Sequence, residues 1–389
     1  MHILDIIFFI IIAFSVIYVA FFAFVSFFFR NRKDELNKKA SGYASFLVIF
    51  PSYHEDLVIV NSVNKFLCQD YPSDKYRVIV VSDHQTEETN AQLEKLPIML
   101  LKPVFDKSTK AKALQYALHE SIRSGMIYDY VIILDADNVV ETNFLSCLNV
   151  SWQQGYKAIQ CHRKAKNGET DVAIFDGISE EINNTIFRLA HNKVGLSSSL
   201  IGSGLCLEYK WFLDNVDKLS TAGEDREIES LLIKDNIYIK YEEGIFVFDE
   251  KVDDLDSFQR QRQRWIVAQA HSLLSMLPYI PHAITKGNIN YIDKTLQQAL
   301  IPRSMLIVIL IIISIVELLL CPLWSLKWWL LFVILAMSLI LSIPAEKRKW
   351  KLLSKWFTAL LMTLQMFRSA SKIPQDKGEF IHTSHNKKA

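Results

Sequence analysis

The sequence predicts an α/β domain built on a mostly parallel sheet with flanking helices, joined to α-helical transmembrane and interfacial segments. Three observations predict it. Short β-rich runs alternate with helical runs between Ala44 and about Asp256, the pattern of strands linked by crossover helices. Half of the 389 residues are hydrophobic, and the excess is concentrated at the two ends of the chain. The formal net charge is +1, so no general basic field exists for nucleic acid.

The N-terminal element is a transmembrane anchor over residues 1–30. No charge occurs from Ile6 to Phe29, long enough to cross ~30 Å of hydrocarbon as a helix. A cleaved signal needs a basic start, a shorter apolar core and small residues; here Asp5 precedes the run and Phe27-Phe28-Phe29-Arg30 closes it. Arg30, Arg32, Lys33, Lys38 and Lys39 follow at once, and the positive-inside rule puts the next domain in the cytoplasm. The five cysteines (Cys68, Cys147, Cys161, Cys206, Cys321) form no C-x-x-C pair, so neither zinc site nor disulfide framework is indicated and a reducing compartment fits.

The middle, residues 44–265, is the α/β domain. Expected strands are Ser45–Phe50, Arg77–Ser82, Ile98–Leu101, Tyr130–Leu134 and Ala158–Cys161; expected helices include Asp56–Gln69, Thr109–Ser124 and Glu224–Lys234. Ligands sit beyond the carboxyl ends of strands in such sheets. Tyr53 and Glu55, Asp83, and Asp135 and Asp137 follow three of the strands and should crowd one edge. No G-x-G-x-x-G or G-x-x-x-x-G-K-[ST] occurs, which removes the dinucleotide fold and the P-loop.

Residues 266–297 read as interfacial helices, with Ile266, Ala270, Leu273, Leu274 and Leu277 on one stripe before Pro278 and Pro281. Residues 301–344 form a transmembrane hairpin split near Pro322 to Lys327. Arg303 marks one cytoplasmic end, and Lys347, Arg348, Lys349 and Lys351 the other. Glu317 within the first span is a costly carboxylate in lipid, facing a path or a neighbouring helix. Residues 345–389 hold a short apolar stretch, Leu352 to Phe367, flanked by Lys351, Arg368 and Lys372, which suits a helix lying in the headgroup plane, and then a tail.

Three groups can carry chemistry. Val131-Ile132-Ile133-Leu134-Asp135-Ala136-Asp137 is an apolar strand ending in two carboxylates on one side, able to hold a hard cation that bridges diphosphate oxygens. Alone, it fits equally the nucleophile motif of haloacid-dehalogenase-type phosphatases or an Asp-rich turn. Gly223-Glu224-Asp225 opens a helical run; its acids either favour the helix dipole or supply a general base. Gln261, Arg264 and Trp265 stand at i, i+3 and i+4, so a helix turns them one way. A fixed guanidinium suits diphosphate and an indole face suits a sugar ring, although Arg260 and Arg262 also fit a basic juxtamembrane helix.

P-S-Y-H-E (Pro51–Glu55), V-V-S-D (Val80–Asp83), Lys110, D-A-D (Asp135–Asp137), G-S-G (Gly202–Gly204), G-E-D (Gly223–Asp225) and Q-R-Q-R-W (Gln261–Trp265) occur in this order. Together they resemble the family-2 glycosyltransferases of the cellulose synthase and hyaluronan synthase type, over about Ser45 to Trp265 and the membrane hairpin beyond. The resemblance implies a GT-A-like fold and an inverting transfer from a UDP-sugar, of the UDP-GlcNAc or UDP-glucose type, to a growing polysaccharide or glycolipid acceptor. It implies that Tyr53, Glu55 and Asp83 contact uracil and ribose, that Lys110, Gly204 and Glu224 line the substrate, and that Asp135 and Asp137 hold Mg²⁺ or Mn²⁺. Asp225 would be the general base, Gln261 and Arg264 would face the diphosphate, and Trp265 the acceptor. Phe380-Ile381-His382-Thr383 also looks like a C-terminal motif of some bacterial members.

Two positions depart from the family pattern: His54 replaces a common Asn, and His84 follows Asp83 where glycine is common. The expected setting is a multi-pass cell-membrane protein with its catalytic domain in the cytoplasm. Its partners would be a nucleotide sugar, a carbohydrate or glycolipid acceptor and membrane lipids, and no nucleic acid. Polymer export would need more spans, from a second copy or a secretion partner. The rival readings are single-sugar transfer to a lipid-linked acceptor, a membrane phosphatase, and a non-catalytic scaffold.

Overall fold

The computed structural model describes residues 2–29, 42–125, 127–221 and 223–348. The basic run after Arg30, the headgroup-plane helix expected over 352–367 and the motif from Phe380 lie outside these residues.

The first helix is α1 (His2–Phe29), without a charged residue after Asp5. Then come β1 (Phe46–Tyr53), α2 (Ile59–Phe66), β2 (Tyr76–Asp83), α3 (Glu87–Leu93), β3 (Met99–Leu101), α4 (Lys110–Arg123), β4 (Tyr130–Ile133), β5 (Val139–Val140), α5 (Phe144–Gln153) and β6 (Ala158–Ala165). Next is α6 (Asp171–Asn183), which continues through a π-helical stretch (Asn184–Ala190) into α7 (His191–Lys193). The chain goes on through β7 (Leu205–Glu208), α8 (Tyr209–Asn215), α9 (Glu224–Lys234), β8 (Ile239–Asp249), α10 (Leu255–Met276), α11 (Ile280–Thr285) and α12 (Ile289–Ala299). It ends, among the described residues, with α13 (Arg303–Leu320) and α14 (Pro322–Ser342).

All eight strands form one sheet in the order β3-β2-β1-β4-β7-β6-β8-β5. Strands β3, β2, β1 and β4 are parallel neighbours; β7 is antiparallel to both β4 and β6, β6 and β8 are parallel, and β5 runs against β8. The sheet is thus mostly parallel, with β7 and β5 reversed. Strands β1, β2 and β4 carry continuous apolar runs because both faces of the sheet are covered there. Leu47 and Ile49 of β1 enter one core with Leu114 and Leu118 of α4 and Ile228 and Leu232 of α9. Phe46, Val48 and Phe50 enter the other with Val63 and Phe66 of α2 and Leu145 and Leu148 of α5.

Each expected strand and helix forms within four residues of its expected bounds, and α9 matches its expectation end to end. Helix α2 starts at Ile59 and not at Asp56. The Asp56 carboxylate accepts from the Thr86 amide and hydroxyl, both at 2.8 Å, and so ties β1 to the loop before α3 instead of starting a helix. Along α10 the buried positions are Ser257, Phe258, Ser272 and Met276, while Leu274 and Leu277 stand exposed.

Among the described residues three helices, α1, α13 and α14, are long and apolar enough to cross a membrane. The break between α13 and α14 is tighter than the expected turn: Cys321 alone separates them, and Pro322 takes the first helical position, where its missing N–H costs nothing. α1 lies along α14. Its Asp5 pairs with Lys327 and accepts from Trp328 Nε1 at 3.0 Å, while Val16, Val19 and Phe22 pack with Leu306, Leu310 and Leu335. Ile182 and Ile186 join this cluster, so α6 and its π-helical continuation bridge the spans and the sheet domain.

β7 begins at a glycine whose conformation is required. Gly204 has φ +67°, and a Cβ there would lie 3.1 Å from Val247 Cγ2 and 3.4 Å from Cys161 Cβ. Both backbone handedness and crowding oppose a side chain. Gly204→Ala should therefore cost about 1–2 kcal/mol, seen as a lower thermal midpoint of the full-length protein. An unchanged midpoint would count against this crowding.

Candidate active site

The strand directions decide where the polar residues meet. β1, β2, β4, β6 and β8 all point their carboxyl ends to one edge, and β7 starts there. The edge therefore collects Tyr53 and Glu55, Asp83, Asp135 and Asp137, Arg163, Glu250, and the Gly202–Gly204 turn. α9 and α10 close over it with Glu224 and Asp225 and with Gln261, Arg264 and Trp265. All of these except Ser203 and Gly204 line one cleft of about 1360 Å³. Gly204 lies just beneath, passing its carbonyl to Cys161 N at 2.9 Å.

Lys110 joins three of the groups. Its Nζ donates to Asp135 Oδ1 at 2.5 Å and to the Gly202 carbonyl at 2.6 Å, and lies 3.3 Å from Glu224 Oε1. Burial works against the ammonium charge, but Asp135 and Glu224 outweigh it and hold the lysine well above its usual range. Asp135 shows the reciprocal effect: despite burial, Lys110 and then Arg163 hold it below the usual carboxylate range. Glu224 is pushed up to about 7 by burial, with Lys110 opposing and Asp225 and Asp135 reinforcing. The reason is partition: the closer, better-aligned Asp135 takes the lysine charge, and Glu224 gets the remainder.

Asp137 is fixed from two sides, accepting from the Glu250 amide at 2.7 Å and from Asn138 Nδ2 at 3.1 Å. Asn138 in turn accepts from the Asp135 amide at 3.0 Å, which shapes the D-A-D turn. Glu55 is pushed up to about 9, first by burial and then by Asp137, Asp135 and Glu250. The end of β4 thus carries surplus negative charge in a sheltered place. Among the described residues no three acidic, histidine or cysteine side chains close into a cage. Magnesium-type sites commonly use one or two carboxylates and complete the shell with substrate phosphate and water, so Asp135 and Asp137 fit such an ion.

The two departures from the family pattern share one cause. His54 (φ +55°) and His84 (φ +58°) each follow a strand end in the left-handed region, where Asn and Gly are favoured and His is the tolerated alternative. Their rings lie 5.4 Å apart and flank Tyr53, while His84 Nδ1 meets Asp83 Oδ1 at 2.5 Å.

Gly223 brings α9 against α10: a Cβ there would lie 3.3 Å from Ala268 Cβ. That approach sets Glu224 and Asp225 beside the turn that carries Arg264 and Trp265. Asp225 Oδ1 accepts from the Arg226 amide at 2.9 Å. The face of Trp265 is shared with Arg262, whose guanidinium lies 4.3 Å over the ring and pairs with Asp176. Arg262, Arg163, Glu250 and Asp176 are cleft residues that sequence reasoning missed. Glu250 and Arg163 extend strands read too short or not at all, and the Arg262–Asp176 pair spans 86 residues with no local signal.

Residues 130–364 match the model described as "Glycosyl transferase family group 2", and residues 47–204 the model "Glycosyl transferase family 2". No curated protein matches the chain. Among solved structures, the mannosyltransferase PcManGT from Pyrobaculum calidifontis, in complex with GDP-Man and Mn²⁺, is 17% identical with a TM-score of 0.53, covering 94% of this chain and 99% of that one. S. aureus TarS 1-349 in complex with UDP-GlcNAc is 14% identical with a TM-score of 0.38, covering 87% of this chain and 93% of that one. At these identities the first likeness shows the fold, a GT-A-like mixed α/β sheet.

Glu224 makes stability depend on pH with a definite sign. Its folded-state value is raised from 4.5 to about 7, so the folded protein holds the proton more tightly than the unfolded chain. Its contribution is complete below pH 4.5 and is lost as pH rises through about 7. Between those limits the thermal midpoint of the wild type should fall relative to that of Glu224→Gln. Parallel midpoint curves for the two proteins would refute the assignment.

Proposed function

The chain belongs to glycosyl transferase family group 2, and from that we propose that it moves a sugar from a UDP-sugar to an acceptor hydroxyl at a membrane surface, inverting the anomeric centre. The observation that carries this reading is the meeting of Asp135 and Asp137, the Glu224–Asp225 pair and the Gln261–Trp265 turn in one cleft. A phosphatase reading would leave α9 and α10 without work there, and a scaffold has no need of the full acid set.

In the proposed reaction Tyr53 and the Asp83 carboxylate hold the base and ribose, with Glu55 behind them. Lys110 keeps Asp135 charged and turned to the cleft. Mg²⁺ or Mn²⁺, when held by Asp135 and Asp137, neutralises diphosphate charge. PcManGT, of the same fold, is described with GDP-Man and Mn²⁺. Asp225 removes the proton from the acceptor oxygen as that oxygen attacks the anomeric carbon. The bond to the diphosphate breaks in line, and Arg264 receives the growing charge through a guanidinium already partly desolvated. Arg264 is held below its usual range by burial, with Glu224 acting against that. Gln261 orients the same face of α10, and Trp265 supports the acceptor ring.

The domain division 1–30, 44–265, 266–297, 301–344 and 345–389 enters the proposal too, with residues 44–265 on the cytoplasmic face of a multi-pass cell-membrane protein. Its support is the three apolar helices and the basic residues that flank them.

Two variants test the chemistry in full-length protein. Asp225→Asn should lower transfer about 10²–10⁴-fold while nucleotide binding, read by UDP titration, stays within a factor of two. Full activity would remove Asp225 as the base. Asp137→Ala should weaken UDP-sugar binding in Mn²⁺ and leave binding in EDTA unaltered. Equal loss in both conditions would sink the metal-holding role.

A further inference from the structure

One arm of the cleft is used by none of the groups assigned to the donor. A volume of about 1360 Å³ exceeds the ~300–1,000 Å³ of an ordinary small-molecule site. The cleft lining also includes an apolar residue from each candidate span, Val19 of α1, Ile307 of α13 and Leu339 of α14, together with Ile178 and Ile182 of α6. A soluble sugar acceptor gains nothing from such a wall. A hydrocarbon chain does.

Arg303 stands where the polar and apolar parts of the cleft meet. Its Nη2 donates to Asn183 Oδ1 at 2.6 Å and lies 3.4 Å from the Ser179 carbonyl and hydroxyl; the guanidinium is 6.0 Å from the Phe187 ring. These partners are neutral, and no ion pair to Arg303 occurs among the described residues. The nearby acids are engaged elsewhere: Asp176 by Arg262, Glu180 by Arg188 at 2.8 Å and Lys251 at 3.7 Å, and Glu181 by Lys347 at 2.7 Å. A partly buried guanidinium with neutral partners and a second arginine close by is electrostatically incomplete. An anion with room for two or three short N–H···O bonds completes it, and phosphate has that geometry.

We propose that the acceptor is a membrane lipid carrying a phosphate, with its chain in the apolar arm, its phosphate against Arg303 and its free hydroxyl at Asp225. The proposal rests on the transfer reading above and names its acceptor class. The step balances: the hydroxyl oxygen bonds to the anomeric carbon, its proton goes to the Asp225 carboxylate, and the broken C–O bond leaves its electron pair on the nucleoside diphosphate. The same phosphate site could be filled from a lipid or from a free anion, and the experiment separates the two.

Full-length protein in a phosphate-free neutral detergent is irradiated with hexadecyl phosphate carrying a diazirine on its chain, or with the matching hexadecanol, and the labelled peptides are identified by mass spectrometry. The phosphate probe should label peptides holding Val19, Ile307 or Leu339 about tenfold more than the alcohol, the ratio expected for one charge-assisted Arg–phosphate contact. Arg303→Gln should erase that ratio, Arg303→Lys should keep part of it, and Leu339→Trp should block both probes by filling the arm. Inorganic phosphate at millimolar concentration should leave the labelling intact. Equal labelling by the two probes in the wild type would overturn the proposal without recourse to any variant. So would labelling unchanged by Arg303→Gln, or displacement by inorganic phosphate or UDP, which would make the site one for a free anion. Labelling needs neither donor nor turnover, so its failure leaves the transfer reading to the Asp225→Asn test, and the reverse holds.

Discussion

Lys110 is the point at which three otherwise separate pieces of chain are held together. Its ammonium binds the end of β4 through Asp135, the approach to β7 through the Gly202 carbonyl, and the start of α9 through Glu224. Thr109 caps α4 by accepting from the Lys112 amide at 3.1 Å, so the lysine is delivered from a fixed first turn. A buried cation tolerates this position only because carboxylates surround it, and the carboxylates tolerate one another only because of the cation. Asp135, with the shorter contact, stays ionised, while Glu224 is pushed toward neutrality. One contact thus sets the charge of two acids at the floor of the cleft and leaves Asp225, one residue on, at its rim.

The same logic of shared charge ties the sheet to the apolar helices. Tyr18 of α1 donates to Asp293 of α12 at 2.5 Å, and His191 sits beside both. His191 Nδ1 donates to the Ile186 carbonyl at 2.7 Å, which leaves Nε2 as acceptor for the Gln297 amide at 2.9 Å. The ring is stacked on Phe22 at 3.6 Å, and burial lowers its affinity for a second proton. From α12 the contacts pass to α9, where Arg226 pairs with Gln298 and Glu229 accepts from the Leu200 amide at 2.9 Å. A hydroxyl in the middle of an apolar helix is therefore linked through α12, by the Tyr18–Asp293 and Arg226–Gln298 hydrogen bonds, to the helix that carries Glu224 and Asp225. The cleft and the spans are built as one piece.

The parallel half of the sheet was legible because its strands are continuous apolar runs, as strands covered on both faces must be. β7 and β8 were not. Leu205–Glu208 is only four residues long, and Ile239–Asp249 carries Lys240, Glu242, Glu243 and Gly244 within it, which hides the alternation behind charge. Missing β8 also hid Glu250, although Asp135 and Asp137 were readable from their strand. The charged pairs of the cleft could not be read at all. Arg262 belongs to a basic run that looks solvated, yet it meets Asp176 of another helix, and Lys110 meets an aspartate 25 residues away. Local pattern reports which residues must be buried or paired; which partner each takes is decided by topology.

The order of polarity along the cleft bears on what can be transferred. The cleft wall holds carboxylates from the sheet edge (Asp83, Asp135, Asp137), mixed charge from α9 and α10, Arg303, and apolar residues of the spans. A donor with a diphosphate is drawn to the first part when its charge is neutralised there, and repelled from the last. An amphiphile fits in the opposite direction, its chain excluded from the carboxylate end and its head held off the apolar one. On the reading proposed above, the two substrates would be oriented head to head and would meet beside Asp225 and Trp265. Such a gradient converts a collision between a soluble and a bilayer-bound molecule into a step with little orientational freedom left to lose. It also gives the fused build of sheet and spans a physical purpose, since any relative drift between them would shift that meeting point.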